Sequence, residues 1–217
     1  FFKCYINELL KKEERKVAIV YSGGDDVFLV GAWNDVIAAC VDLKNALERF
    51  TEGTLTISGG IGIYPSKYPV NIMAKEVERL EDHSKAMDGK NAITIFDENH
   101  GYPWDEFENK VLNEKLSAIK EYFVEEDERG MAFLYHLVDL LRNTEEKINT
   151  ARYVYLLSRM EPEKDENGKR DNYRKFSKRM YEWSKDEYER RQLITAIYLY
   201  VYLNRERGEK IDEIDRR

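Results

Sequence analysis

The stretch VAIVYSGGDDVFLVG, residues 17–31, decides how the first half of this chain folds. Residues 17–21 and 27–30 are short, β-branched apolar runs that suit strands. Between them, SGGDD (residues 22–26) supplies the glycines that a tight two-residue turn needs for a positive φ. The pattern predicts an antiparallel hairpin with Asp25 and Asp26 at its tip. Adjacent carboxylates repel each other, so they are costly as mere turn residues. They make sense where hard cations sit, because Mg²⁺ takes oxygen ligands and is commonly held by one or two carboxylates plus substrate phosphates. Two such ions ~4 Å apart can activate an attacking hydroxyl and stabilise a leaving oxyanion in phosphoryl transfer. The plain alternative is a surface hairpin whose aspartates serve turn chemistry alone.

Before the hairpin, Phe2, Tyr5, Ile6, Leu9 and Leu10 recur at helical spacing, so residues 1–12 read as a helix. After it, residues 34–50 form an amphipathic helix on Ile37, Cys40, Leu43 and Leu47, with Asn34 or Asp35 as N-cap. Residues 54–63 alternate as a strand. Residues 70–87 read as a second amphipathic helix with Gly89 as its stop, and 91–96 as a last short strand. Helix, hairpin, helix, strand, helix, strand is an α+β order, with helices against a sheet that contains the hairpin. A ferredoxin-like βαββαβ unit would open with a strand lying in the middle of that sheet. Here the chain opens in the helix, so the expectation is a unit lacking its first strand, cut from a longer polypeptide.

Texture changes near Gly101-Tyr102-Pro103. Residues 1–103 carry 12 basic and 16 acidic side chains and residues 104–217 carry 23 and 26, so the second half is denser in charge at nearly the same balance. It reads as helical throughout, with Leu193–Leu203 apolar nearly all round, as the central helix of an all-α bundle would be. Two domains are expected, 1–103 and 104–217. The net charge of −7 excludes a globally basic nucleic-acid binder, leaving only local basic surfaces, and the 12% aromatic share excludes disorder as the main state. No apolar run is long enough to span a bilayer, so no membrane partner is expected. Cys4 and Cys40 make neither a disulfide framework nor a metal cluster and read as core residues, which fits a reducing cytoplasm.

Three further motifs follow the hairpin in order: TISGGIGI (residues 56–63), then HSKAMDGKNAITIF (83–96), then a long helical region containing TARYVYLLSRMEP (150–162) and LITAIYLYVYLNR (193–205). Together with GGDD they resemble the cyclase/polymerase palm shared by GGDEF-type nucleotide cyclases and the large subunit of type III CRISPR effector complexes. The GGDD spelling followed by VFLVG, and the helical C-terminal region, resemble the Csm-type large subunit most. The resemblance implies a ferredoxin-like palm without its first strand, followed by a helical bundle. It implies a nucleotidyltransferase that makes cyclic oligoadenylate from ATP when the complex, with its other subunits and guide RNA, binds target RNA. Asp25 and Asp26 would then be catalytic and hold Mg²⁺ or Mn²⁺. Ser22, Gly23, Gly24, Ser58, Lys85 and Lys90 would contact the nucleotide, the lysines as point charges on phosphate. That family's HD nuclease domain and first palm have no counterpart among these residues.

Two other functions compete. A diguanylate-cyclase-like enzyme would more often show GG[DE]EF and no long helical region after the palm. A non-catalytic palm scaffold for RNA and neighbouring subunits would have no use for both aspartates. Among weaker signals, His83, His100 and His136 lack metal-ligand spacing. The run Lys169-Arg170, Arg174-Lys175, Lys178-Arg179 is either a solvated helix face or a surface for RNA backbone or a partner.

Overall fold

The structure is a computed structural model describing residues 1–12, 15–124, 131–143, 147–162 and 168–214. It divides into two compact units, Phe1–Trp104 and Asp105–Arg217.

In the first unit, α1 (Phe2–Lys12) leads into the hairpin β1 (Val17–Gly23) and β2 (Asp26–Gly31), then α2 (Trp33–Phe50). Ile6 and Leu10 of α1 and Ala39 and Leu43 of α2 form a buried cluster, and Val17, Ile19, Val27 and Leu29 of the hairpin pack onto it. Each buried isoleucine or leucine side chain there contributes about 1.5–3 kcal/mol. A bulge between Ile19 and Tyr21 breaks the two-residue alternation of β1, so Val20 and Tyr21 both face solvent. The N-cap of α2 differs from expectation. Ala32 caps it without a side-chain bond, because Asp35 is engaged elsewhere and accepts the backbone N–H of Lys16 at 3.0 Å. Asp35 still lies in the first turn, where its charge complements the helix dipole.

The rest of the first unit is β3 (Gly59–Ile61), α3 (Val70–Ala86), β4 (Ala92–Ile95) and β5 (Gly101–Pro103). β3 and β4 pair in parallel, and β4 and β5 antiparallel. The strand expected over residues 54–63 shrinks to three residues because β4 offers backbone partners only from Ile93 to Ile95. β5 was not expected: its glycine and proline read as punctuation, yet Ile93 pairs with Tyr102 and Thr94 with Gly101. The hairpin and the β3–β4–β5 sheet are not joined by hydrogen bonds. The expected single sheet is therefore split, since no described strand occupies the place between β2 and β3. This is the ferredoxin-like palm without its first strand.

The second unit is all helix among the described residues. α4 (Trp104–Glu106), which starts on the last residue of the first unit, runs into a π-helix (Phe107–Leu116) and α5 (Ser117–Val124), followed by α6 (Met131–Arg142), α7 (Lys147–Ser158), α8 (Lys169–Lys185) and α9 (Glu187–Ile214). α9 is the central helix, packed against the π-helix, α5, α6 and α8, with Leu193, Thr195, Ala196, Ile197 and Leu199 fully buried. Tyr173, Phe176, Met180 and Trp183 make the buried stripe of α8. Tyr188 continues that spacing in sequence but falls on α9, because Asp186 ends α8 in extended backbone, and it is 39% exposed. No described helix is long and apolar enough to cross a membrane. Cys40 is a free thiol pushed up to about 12 by burial of its sulfur, against the opposing pull of Arg15. The side chain of Cys4 lies outside the described set.

Candidate functional site

The hairpin closes with Gly23 opposite Asp26, so the turn is Gly24-Asp25. Gly24 has φ +64° while Asp25 is not among the positive-φ residues, the pattern of a turn that demands glycine at its first central position only. Gly23 answers a different need: a Cβ there would meet the Tyr21 ring, its hydroxyl at 2.6 Å. Asp25 and Asp26 are thereby held exposed at the tip.

Beside the tip lies a cavity of about 490 Å³. Val36, Leu43, Ile57, Val77, Ile93 and Trp104 give it apolar walls. Asp25, Asp26, Ser58 and Lys85 all line it, so four of the eight residues implied at the site share one cavity. Ser22, Gly23 and Gly24 shape the hairpin without lining the cavity. Ser22 Oγ is buried with no hydrogen-bond partner, an open position for a polar ligand. Lys90 is exposed on the turn after α3, outside the cavity lining, in left-handed backbone (φ +52°) beside Gly89 (φ +76°).

Three acids that sequence reading overlooked, Glu78, Glu81 and Asp82, also line the cavity from α3. Glu81 accepts from Lys85 Nζ at 2.7 Å. That bond, with the charges of Glu81, Asp26 and Asp82, raises Lys85 above the ordinary lysine value against the opposing effect of burial. The i,i+4 spacing of Glu81 and Lys85 was the available sequence signal. Five carboxylates against one ammonium make the rim strongly negative. A polyphosphate enters such a rim only with cations, so the donor set fits Mg²⁺ or Mn²⁺. Among the described residues no group of three or more His, Cys, Asp or Glu is placed to hold a metal. An ion would use Asp25 and Asp26, with its remaining oxygens from substrate and water, an arrangement Mg²⁺ accepts.

A buried polar seam sets the height of Lys85 on the cavity wall. Ser84 Oγ donates to the Gly59 carbonyl at 2.8 Å and lies 2.7 Å from Thr94 Oγ1. His83 Nδ1 is 3.1 Å from the same Thr94 oxygen, so His83 belongs to this seam and not to the cavity. Ser84 precedes Lys85 and Gly59 follows Ser58, so one bond registers both cavity residues. Gly60 permits the close approach, since a Cβ on it would sit 2.5 Å from the Val77 carbonyl oxygen and 2.7 Å from the Glu81 nitrogen.

Residues 1–94 match the family described as Cas10/Cmr2, second palm domain, and residues 120–206 match the CRISPR RNA silencing complex Cmr2 subunit, second helical domain. The chain is 42% identical over 217 residues to a Mycobacterium tuberculosis protein named CRISPR system single-strand-specific deoxyribonuclease Cas10/Csm1 (subtype III-A), covering 94% of this chain and 26% of that one. It is 40% identical over 205 residues to the protein of the same name from Streptococcus thermophilus, covering 93% and 26%. It thus spans about a quarter of the length of these relatives. In fold it resembles a crystal structure of a Csm1–Csm4 cassette in complex with one ATP, with TM-score 0.58 and 22% identity, covering 90% of this chain and 31% of that one. A crystal structure of Csm1 from T. onnurineus gives TM-score 0.60 and 20% identity, covering 91% and 32%.

Proposed function

Since this chain belongs to the Cas10/Csm1 family of CRISPR large subunits, we propose that the hairpin cavity joins ATP molecules into cyclic oligoadenylate. The observation that carries the reading is one cavity lined by Asp25, Asp26, Ser58 and Lys85. The 3′-hydroxyl of one ATP attacks the α-phosphorus of another. The new O–P bond forms as the α–β anhydride bond breaks, pyrophosphate leaves with the electron pair, and the hydroxyl proton passes to solvent. Repetition and a final closure on the first 5′ end give the ring.

The chain's own residues have separable tasks. Asp25 and Asp26 hold the divalent cations, which when bound would neutralise phosphate charge and lower the pKa of the attacking hydroxyl. Lys85 exchanges its Glu81 bond for a phosphate oxygen. Ser58 offers a hydroxyl to the nucleotide, and the Ser22 hydroxyl lies unpartnered at the base of the turn. Gly23 and Gly24 keep the tip low enough for a nucleotide to approach the backbone, and Lys90 adds charge from outside the cavity. The apolar wall beneath excludes water from the reacting centre. The activity would be switched on in the cytoplasm by target RNA, within a complex that includes guide RNA and the other type III CRISPR subunits. The deoxyribonuclease activity in the relatives' names belongs to much longer proteins, and we assign none of it to Asp25 and Asp26.

The test uses the full-length parent assembled with guide and matching target RNA, given labelled ATP or GTP with Mg²⁺. Cyclic oligoadenylate forms from ATP and falls by about 10²–10³-fold or more in Asp25→Ala/Asp26→Ala, the scale of losing preorganised charge stabilisation. Product from GTP alone would assign the site to diguanylate-type chemistry. No product from either, with RNA binding intact, would leave a scaffold.

A further inference from the structure

The second unit holds another cleft, of about 610 Å³, between the π-helix with α5 on one side and α8 on the other. Asn109, Asn113, Ser117 and Glu121 recur every fourth residue and line one wall. Lys178, Arg179, Glu182 and Trp183 line the facing wall from α8. π-helical turns are rare and concentrate at functional sites, and this one runs for ten residues.

The informative point is which polar groups are already used. Glu114 accepts from Lys110 Nζ at 2.9 Å and from Trp183 Nε1 at 3.2 Å. Burial alone would raise its pKa, but the Lys110 bond and the Lys115 charge hold it below the usual carboxylate range. Glu182 accepts from Lys185 at 2.8 and 2.9 Å, and Ser117 Oγ donates to the Leu112 carbonyl at 3.1 Å. The side chains of Lys178, Arg179, Asn109, Asn113 and Glu121 have no hydrogen bond or ion pair to any described residue. The free set is therefore two adjacent cations on one wall, two amides on the other, and a single carboxylate.

We propose that this cleft binds a short stretch of single-stranded nucleic acid. Lys178 and Arg179 take successive phosphates. Asn109 and Asn113, each both donor and acceptor, meet ribose and base edges, whose groups are of both kinds. Glu121 accepts from an exocyclic amine or a ribose hydroxyl. An acidic peptide would answer the cations but would leave the two amides and the Glu121 acceptor without the matched donors and acceptors of base and ribose edges. Trp183 is only 8% exposed, its indole fixed by Glu114 and by Lys115 at 5.1 Å from the ring centroid, so it serves as wall and not as stacking platform. This proposal stands apart from nucleotidyl transfer at the hairpin and survives or fails without it.

The experiment titrates the full-length protein, free of guide RNA, against a fluorescent single-stranded RNA of about 12 nucleotides over a salt series. Lys178→Gln/Arg179→Gln is expected to weaken binding tenfold or more at low salt. It also makes the slope of log K against log salt shallower by about 1.4, two phosphates at ~0.7 each. Lys175→Gln removes an exposed charge of the same helix outside the cleft, and is expected to leave affinity and slope near wild type. Asn109→Ala/Asn113→Ala weakens binding two- to tenfold with the slope unchanged. Unlabelled RNA displaces the probe; ATP and polyglutamate at matched charge do not. An unchanged slope in the double variant, an equal loss in Lys175→Gln, or displacement by ATP or polyglutamate as effective as by RNA would each overturn the assignment.

Discussion

In the first unit the charged groups of the candidate site stand at the rim of a cavity and the backbone does the positioning. Gly24 takes a φ of +64° so that two aspartates can sit side by side at a tip, and Gly60 gives up its side chain so that α3 can lie on β3. In the second unit a charge lies inside the packing. Lys115 is fully buried, 2.5 Å from Glu189 Oε2 and 2.9 Å from Gln192 Oε1. The same residue classes thus serve chemistry in one unit and architecture in the other. Substitutions should separate accordingly: charges at the cavity rim of the first unit govern activity with little effect on stability, and the buried Lys115 of the second governs stability.

The largest expected effect tests the second half of that contrast. Lys115→Ala removes the ammonium and leaves a void among the π-helix, α8 and α9. The loss is about 3 kcal/mol, at the low end for breaking a buried pair because Glu189 is 34% exposed and can turn to water. Lys115→Met keeps the volume but leaves Glu189 and the buried Gln192 Oε1 without their cation, and is expected to lose about 1–3 kcal/mol. A methionine variant as stable as wild type would mean that the volume of the side chain, and not its charge, matters. Denaturant unfolding of both variants decides it. A methionine variant as unstable as the alanine one would show that the ion pair itself, and not the packing of the side chain, holds the unit. Asp25→Ala/Asp26→Ala, at an exposed tip, should leave the same unfolding midpoint unchanged.

The next effect joins backbone positioning to activity. Gly60→Ala puts a Cβ against two backbone atoms of α3, which cannot swing aside, so the helix must shift at a cost of about 1–3 kcal/mol. Lys85 rides on that helix, so ATP turnover should fall together with stability. Gly59→Ala is the control, since its Cβ would meet the flexible Ile93 Cδ1 at 3.2 Å and Trp104 at 3.8 Å. Equal losses at both positions would mean that close packing of α3 on β3 is not what sets the site.

Much of this arrangement was legible in the sequence because the causes are local. The hairpin follows from two β-branched runs around a glycine pair, and the order of elements from periodicity. What was not legible depends on partners distant in sequence. Asp35 reads as a cap until the Lys16 N–H claims it. Residues 54–58 read as strand but lack a neighbouring strand to bond. Tyr102, between a glycine and a proline, reads as a linker and proves fully buried in β5. Nothing local marks 107–116 as a π-helix, and Lys115 reads as one more surface charge. At the site, the adjacent aspartates stood out as a candidate and the ordered motifs around them supported it, while Glu78 and Asp82 join the cavity only once α3 lies against β3. The expected boundaries at 103 and 104 remain our proposal for where the domains part.

The smallest expected effect concerns Lys85, the one cation that lines the cavity among the described residues. Lys85 is bonded to Glu81, so a phosphate must displace a carboxylate to reach it. Glu81→Gln removes that competitor and should lower the KM for ATP about two- to threefold, whereas Lys85→Ala should raise it. Stability should change by less than about 0.5 kcal/mol, because an i,i+4 pair this exposed is largely screened. The linkage has a definite sign. Glu81 raises the folded-state pKa of Lys85 above the ordinary lysine value, so the pair's small stabilisation is complete below that ordinary value and lost as pH rises through the folded one. Wild type and Glu81→Gln should therefore differ in midpoint at neutral pH and converge in strong alkali. A KM that rises in Glu81→Gln would reverse the assignment: Glu81 would then be holding Lys85 in its working position, making this exposed carboxylate part of the positioning that the backbone performs elsewhere in the unit.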